Sequence, residues 1–197
     1  MPEAHEQMET AEHAQHAAGE NRKIALVIAI LALFLSFSET LGKGAQTEAI
    51  SADVESANLW AFFQAKTIRT TVVRTAAEEL KLEAAAAADP AAKDAMDKQI
   101  DAWEKAASRY DSEPETHEGR KELADRAKEE QDERDLSLAK YHHYELASAA
   151  FQIGIVLASA AVITGMISLA WFAGLLGVAG LGVLSLGLFA PHLIHLP

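Results

Sequence analysis

Apolar residues are distributed along this chain in three ways, and each predicts a different element. From Ala147 to Pro197 the residues are almost all Leu, Ile, Val, Ala, Gly and Phe, and no Asp, Glu, Lys or Arg follows Glu145. A bilayer core of about 30 Å needs roughly 20 apolar residues in helical form, so this run is long enough for two crossings with a tight turn between them. Ile24 to Phe37 is a second apolar run, preceded by Arg22 and Lys23 and followed by Ser38, Glu39 and Thr40. Extended to Leu41, it gives one further span of about 18 residues. Between the two runs the apolar residues recur at intervals of three and four, which is the period of helices with one buried face.

Within the C-terminal run, Tyr141 and Tyr144 lie just before the apolar stretch, and Trp171 with Phe172 follows about 27 residues on, roughly 40 Å at the helical rise. Aromatic rings favour the two interfaces of a bilayer, so the pair marks the far side and Gly174 offers the turn. The return leg, Leu175 to Ala190, is then about 16 residues or about 24 Å long before Pro191 ends it. Either His192 to Leu196 completes a full crossing, which is the expectation, or the leg is re-entrant.

In the middle, Gly42 and Gly44 punctuate the exit from the first span, and Ser51, Asp53 and Glu55 supply a start signal for a long helix. Val54, Ala57, Ala61, Ala65, Ile68, Val72 and Ala76 form its periodic row, broadened by Leu59, Trp60, Phe62, Phe63, Val73 and Leu80. Core packing of the aromatics is expected over burial in the headgroup layer. Asp89 and Pro90 end this helix and begin a second, to about Tyr110, with Asp94–Lys98 and Asp101–Lys105 as favourable pairs. After a break at Ser112 to Pro114 the pattern is helical again, with pairs Glu122–Arg126 and Glu130–Arg134, and one continuous helix is expected from about Glu115 through Leu169. Two antiparallel legs of about 57 and 48 Å close the geometry.

The predicted architecture is all-α, with three transmembrane helices, one N-terminal and a C-terminal two-span hairpin, flanking an extramembrane antiparallel helical hairpin domain. The expected segments are a mobile acidic tail over 1–23, spans over 24–41, 147–172 and 174–196, and the helical domain over 42–146. The first apolar run is read as a retained anchor. A secretory signal has a short basic leader, whereas this one is long and acidic.

Charge narrows the partners. Net charge is −12, and Glu39 to Glu145 carries 24 acidic against 15 basic residues. Such acidity argues against nucleic acid, which needs clustered Lys and Arg. The chain has no cysteine, which removes disulfides, thiolate catalysis and cysteine zinc sites. There is no Gly-rich phosphate loop, no His-Glu-x-x-His and no Gly-x-Ser-x-Gly, so no enzyme and no cofactor is expected.

Three groups of residues carry what candidate chemistry there is. Glu39 and the cluster His142, His143 and Glu145 sit at the membrane boundaries, where ionisable groups either anchor at the interface or relay protons, bind metal or sense pH. His5, Glu9, His13 and His16 fall on one face if the leader is helical and can ligate a divalent metal, against the plainer reading of a solvated tail. Gly174, Gly177 and Gly180 allow close helix approach, either within the hairpin or between protomers of a homo-oligomer. Orientation signals conflict, since Arg22 and Lys23 favour a cytoplasmic N-terminus and Lys43, Lys128, Arg134 and Lys140 a cytoplasmic middle domain; the expectation leans to the latter.

The run from Ser38 to Ser51, SETLGKGAQTEAIS, and the run from Asn58 to Arg69, NLWAFFQAKTIR, resemble a family of bacterial membrane proteins catalogued as domain of unknown function 4337. The similarity extends to the His-containing leader and the paired C-terminal spans. It implies a bacterial membrane setting and says nothing of mechanism. The function expected is a non-enzymatic, self-associating helical scaffold in the lipid bilayer, with a channel or transporter subunit or a sensor using Glu39 and the histidines as the alternative.

Overall fold

The computed structural model describes the backbone of residues 2–193 and the side chains of residues 21–193. Four helices follow one another, α1 (Pro2–Ala86), α2 (Pro90–Asp111), α3 (Arg120–Thr164) and α4 (Ile167–Phe189), and there is no strand among the described residues. Segments of α1, α3 and α4 are each long and apolar enough to cross a membrane. Packing divides the chain into two units, one comprising the chain up to Glu48 and from Leu136 onward, the other Ala49–Asp135.

Helix α1 does not stop at Gly42 and Gly44, contrary to the sequence expectation. A glycine inside a helix costs about 1 kcal/mol but removes no hydrogen bond, so neither glycine has to end α1. A side chain at Gly42 would meet the Tyr144 Cβ at 3.5 Å. The candidate ligands His5, Glu9, His13 and His16 lie outside the described side chains.

The first unit is a three-helix packing of α1, α3 and α4. Leu31, Ala45, Tyr144, Ala147, Phe151 and Leu184 form one buried cluster, and Ile24, Ala158, Ala161 and Ala173 a second. The Phe34 and Phe151 rings stack with centroids 5.9 Å apart. Within the most apolar stretch of each candidate span only 17, 33 and 28% of residues are buried, so most of the apolar surface is left for lipid or another chain. Hydroxyls inside these stretches are satisfied locally: Ser159 donates to the Ile155 carbonyl and Ser185 to the Leu181 carbonyl, each at 2.8 Å.

The turn between the last two helices corrects the sequence reading. It lies at Gly165 and Met166, not at Gly174, and α3 ends at Thr164 instead of reaching Leu169. Gly165 takes a left-handed φ of 70°, its N–H reaches the Ala161 carbonyl at 2.9 Å, and the Thr164 hydroxyl accepts from the Met166 N–H at 3.3 Å. That is a glycine C-terminal cap, the conformation a residue with a Cβ resists. Trp171 and Phe172 consequently stand about one turn inside α4, which has 23 residues and is about 34 Å long, enough for a bilayer core without the residues after Pro191.

The second unit packs α1 against α2 and α3. Along α1 its inward row is Ala49, Ala52, Ser56, Leu59, Phe63, Lys66, Thr70, Val73, Ala77, Leu80 and Ala84, buried or half-buried at strictly alternating intervals of three and four. Leu59 meets Leu123 and Ala127 of α3, with Trp60 and Phe63 against them; Ala77 and Ala84 meet Ile100 of α2, with Met96 and Trp103 alongside. Contacts with α3 and the loop before it pair rising numbers with falling ones: Asp53 with Arg134, Ser56 with Ala127, and Lys66 with Glu118 of the loop. Of the aromatics expected in the core, Trp60 and Phe63 pack against it half-buried, meeting edge to face at 5.4 Å, while Phe62 is exposed. Lys66 is buried, its ammonium 5.3 Å from the Phe62 ring and 5.4 Å from the Tyr110 ring.

The row expected to pack, Val54 through Val72, instead faces outward: Ile50, Val54, Ile68 and Val72 are 60, 55, 65 and 61% exposed. The inward row holds the larger Leu59, Phe63 and Leu80 among its Ala and Ser positions, and its small residues let the backbones approach closely enough for Ser56 Oγ to donate to the Ala127 carbonyl at 3.1 Å.

Charged pairs also run between elements more than along them. Asp94–Lys98 forms as expected at 2.6 Å, but Arg126 reaches Glu55 at 3.9 Å and Arg134 reaches Asp53 at 3.2 Å. Glu122 turns back toward the loop between α2 and α3, accepting from the Ser112 hydroxyl and, at 3.3 Å, from the Glu113 N–H. This loop, residues 112–119, is not the start of α3 as expected; His117 there has φ 56°, and Asp111 bridges Arg74 at 2.9 Å and Arg120 at 3.0 Å.

The Ser112 hydrogen bond, with the backbone N–H groups, holds the Glu122 carboxyl below its usual range, and Arg109 does the same for Glu113. A depressed carboxyl pKa stabilises the fold fully above the unfolded value of about 4.3, and that contribution disappears as pH falls through the lower folded value. Acidification from pH 6 to below about 4 is therefore expected to lower the thermal midpoint followed by Trp60 and Trp103 in a Trp171→Phe background. The same scan on Glu122→Gln should show a smaller acid-dependent drop; an unchanged drop would remove Glu122 from the account.

Candidate functional site

The polar residues beyond the apolar stretches of α1 and α3 in the first unit collect in one groove of about 450 Å³ between the two helices. Helical spacing puts them there. Glu39, Gly42, Lys43 and Gln46 follow at intervals of three, one and three along α1, while Tyr141, Glu145, Ser148 and Gln152 follow at four, three and four along α3. Gln152 donates to Glu39 Oε1 at 3.4 Å across the groove. Ser148 is 8% exposed, and its hydroxyl has no hydrogen-bond partner among the described residues.

Two further hydrogen bonds fix the walls. Ser38, fully buried, donates from Oγ to the Tyr144 carbonyl at 2.8 Å, and the Tyr144 hydroxyl donates to the Gly187 carbonyl at 3.3 Å. Ser38 thus holds α1 to α3, and Tyr144 holds α3 to α4. Replacing Ser38 by Ala is expected to lower the stability of the detergent-solubilised protein by about 0.6 kcal/mol, and by no more than about 1.7, the range for buried interhelical hydrogen bonds of membrane proteins. Unfolding in sodium dodecyl sulfate followed by circular dichroism measures this, and a loss well above that range would mean that Ser38 also carries packing.

Of the residues singled out in the sequence, Glu39 and Glu145 meet in this groove and His142 and His143 do not. His142 lies beside the Tyr141 ring, with centroids 5.5 Å apart. His143 is buried, its Nδ1 2.7 Å from the Ala139 carbonyl and its Nε2 without a partner among the described residues. Neighbouring helical residues diverge by about 100°, so a cluster contiguous in sequence is not one in space. Among the described residues no group of three His, Asp or Glu is placed to hold a metal ion.

Of the candidate packing glycines, Gly177 and Gly180 are already occupied within the chain. A Cβ at Gly177 would lie 2.7 Å from Leu31 Cδ2, and one at Gly180 2.8 Å from the Phe151 ring. Gly174 meets nothing within 4 Å. Gly154, against Leu31 at 3.1 Å, and Gly187, against Tyr144 at 2.8 Å, join the internal set.

Sequence reading overlooked Lys43, Gln46, Ser148 and Gln152. Gln152 offered a signal, as the one amide side chain in the charge-free stretch from Ala147; the others became site residues only through the pairing of α1 with α3.

Among the described residues, helices and groove together define an all-helical protein with three helices long and apolar enough to cross a membrane and a polar groove between two of them. The chain belongs to the family described as Domain of unknown function (DUF4337), whose model matches residues 20–190. No curated protein and no solved structure matches it.

Proposed function

We propose that this protein is a non-enzymatic, multi-pass scaffold of the bacterial inner membrane. Residues Ala49–Asp135 form an antiparallel helical hairpin domain outside the bilayer, through which copies of the chain associate. The observation that carries this is the outward row of α1. Ile50, Val54, Ala57, Ala61, Ala65, Ile68, Val72 and Ala76 contain no charge, although 23% of the chain is Asp, Glu, Lys or Arg. This row lies opposite the packed row of the same helix, and its large members are more than half exposed.

Copies inserted in a membrane in the same sense point the same way, so two α1 helices of a symmetric pair run parallel and each residue faces its own counterpart. A charged residue on such a seam would meet a like charge; an apolar and small one meets a match. The spacing of four, three and four from Ile50 to Ala61 suits such a seam. The sensor or channel alternative loses support, because His142 and His143 lie outside the groove that holds Glu39.

The chain has no cysteine, which makes the test direct. Single cysteines at Val54, Ala57, Ala61 and Ile68 should each give a disulfide-linked dimer on mild oxidation in native membranes. Cysteines at Glu55 and Thr71, about 100° to either side, should give little. Uniform cross-linking at all six, or none at the four, would overturn the assignment.

A further inference from the structure

We infer that the groove between Glu39 and Glu145 is a headgroup site for an aminophospholipid, a lipid bearing a primary ammonium two carbons from a phosphate diester. The inference rests on reading α1, α3 and α4 as membrane spans. Glu39 closely follows the apolar run ending at Phe37, and Glu145 closely precedes the charge-free stretch, so on that reading the groove lies at headgroup depth.

Its chemistry is matched to a zwitterion. Glu39 and Glu145 supply two carboxylates, which accept hydrogen bonds from an ammonium. Lys43 supplies the one cation of the lining and Gln46 an amide donor, both on α1 beyond Glu39 in the direction away from the span, and these suit the phosphate. An anionic headgroup would bring a net negative charge to a lining that carries two carboxylates against one ammonium. A bare quaternary ammonium would leave the carboxylates without donors.

Two observations point to an occupant. Ser148 is more than nine-tenths buried as a residue and lines the groove, and no described residue hydrogen-bonds its hydroxyl, which is free to serve a ligand. Gln152, one turn deeper, makes only a long 3.4 Å contact to Glu39, which leaves its amide able to serve a ligand. Below the polar level the same faces continue as apolar surface. Leu35, one turn from Glu39, is half-buried, and Val156, one turn from Gln152, is 66% exposed, giving an acyl chain a path along the same two helices.

The test is native mass spectrometry of the full-length, detergent-solubilised protein titrated separately with dioleoyl phosphatidylethanolamine, phosphatidylcholine and phosphatidylglycerol. Phosphatidylethanolamine is expected to give a one-lipid adduct at about tenfold lower concentration than the other two, the worth of one or two charge-assisted hydrogen bonds. Glu39→Gln with Glu145→Gln should abolish that preference, and Lys43→Gln should weaken all three lipids. If the double variant loses helicity by circular dichroism, Glu145→Gln alone, on the exposed side of α3, carries the test and should reduce the preference. Equal binding of the three lipids by the wild type, or an undiminished preference in the folded variants, overturns the site. A protein that stays in solution without detergent would instead refute the membrane reading on which the site rests.

Discussion

Gly180→Leu is expected to destabilise the three-helix unit by about 1–3 kcal/mol or more, whereas Gly182→Leu, two residues on, is expected to cost little. Even the first carbon of a side chain at Gly180 would fall 2.8 to 3.1 Å from three atoms of the Phe151 ring, and Phe151 is fully buried against Phe34 on its other side. The ring cannot retreat without breaking that stack. At Gly182 nothing lies within 4 Å, so a leucine there projects from α4 without a clash. Unfolding in sodium dodecyl sulfate, read by circular dichroism, compares the two. Combining Gly180→Leu with Phe151→Ala should cost less than the two separate losses added, with a coupling of about 0.5–3 kcal/mol, because the leucine fills the space the ring vacates. Equal losses at Gly180 and Gly182, or strict additivity of the pair, would refute the contact.

A second large effect is expected from the loop joining α2 and α3. Gly119 is buried, and a Cβ there would lie 2.6 Å from the Ser112 Cα and against the Glu113 backbone nitrogen as well as the Glu122 carboxylate. Two of those three atoms belong to the backbone, which cannot rotate away as a flexible side chain can. Gly119→Ala should therefore force the loop off Glu122, losing the Ser112 hydroxyl contact and the start of α3 together, at a cost of about 2 kcal/mol or more. The thermal midpoint of the helical unit should fall by several degrees while the response at Gly44, where nothing lies within 4 Å, stays small for Gly44→Ala. A midpoint within a degree of wild type would show that the loop has another packing of equal stability.

Both effects come from contacts that composition does not reveal. Eleven glycines look alike in sequence, and in the apolar C-terminal stretch five of them share the same neighbours of Leu, Val and Ala. Whether a glycine is a packing contact or an idle position depends on which face of α4 meets α1 and α3. That is why Gly177 and Gly180 could be assigned to a protomer interface from sequence and are found against Leu31 and Phe151 of their own chain.

The sequence by itself determined the helical character, the three strongly apolar segments of membrane length, the start of α2 at the Asp89–Pro90 pair and the family. Each of these depends on local pattern: the period of apolar residues, the scarcity of ionisable groups over about 20 positions, a cap and a fixed φ. Tertiary structure decided which face of each helix is inside. On α1 the row from Val54 to Ala76 and the row holding Leu59, Phe63 and Leu80 are both apolar enough to serve as a core, and only the contacts of Leu59 with Leu123 and Ala127 and of Ala77 and Ala84 with Ile100 select the second. It also decided the position of the turn between α3 and α4, because Gly165 and Gly174 are equally able to adopt a left-handed φ and only the packing of Ala158, Ala161 and Ala173 selects the earlier one. The groove exists for the same reason. Glu39 and Gln152 are 113 residues apart and become neighbours only because α1 and α3 pair through Ser38 and Tyr144, a relation between distant residues that no local periodicity encodes.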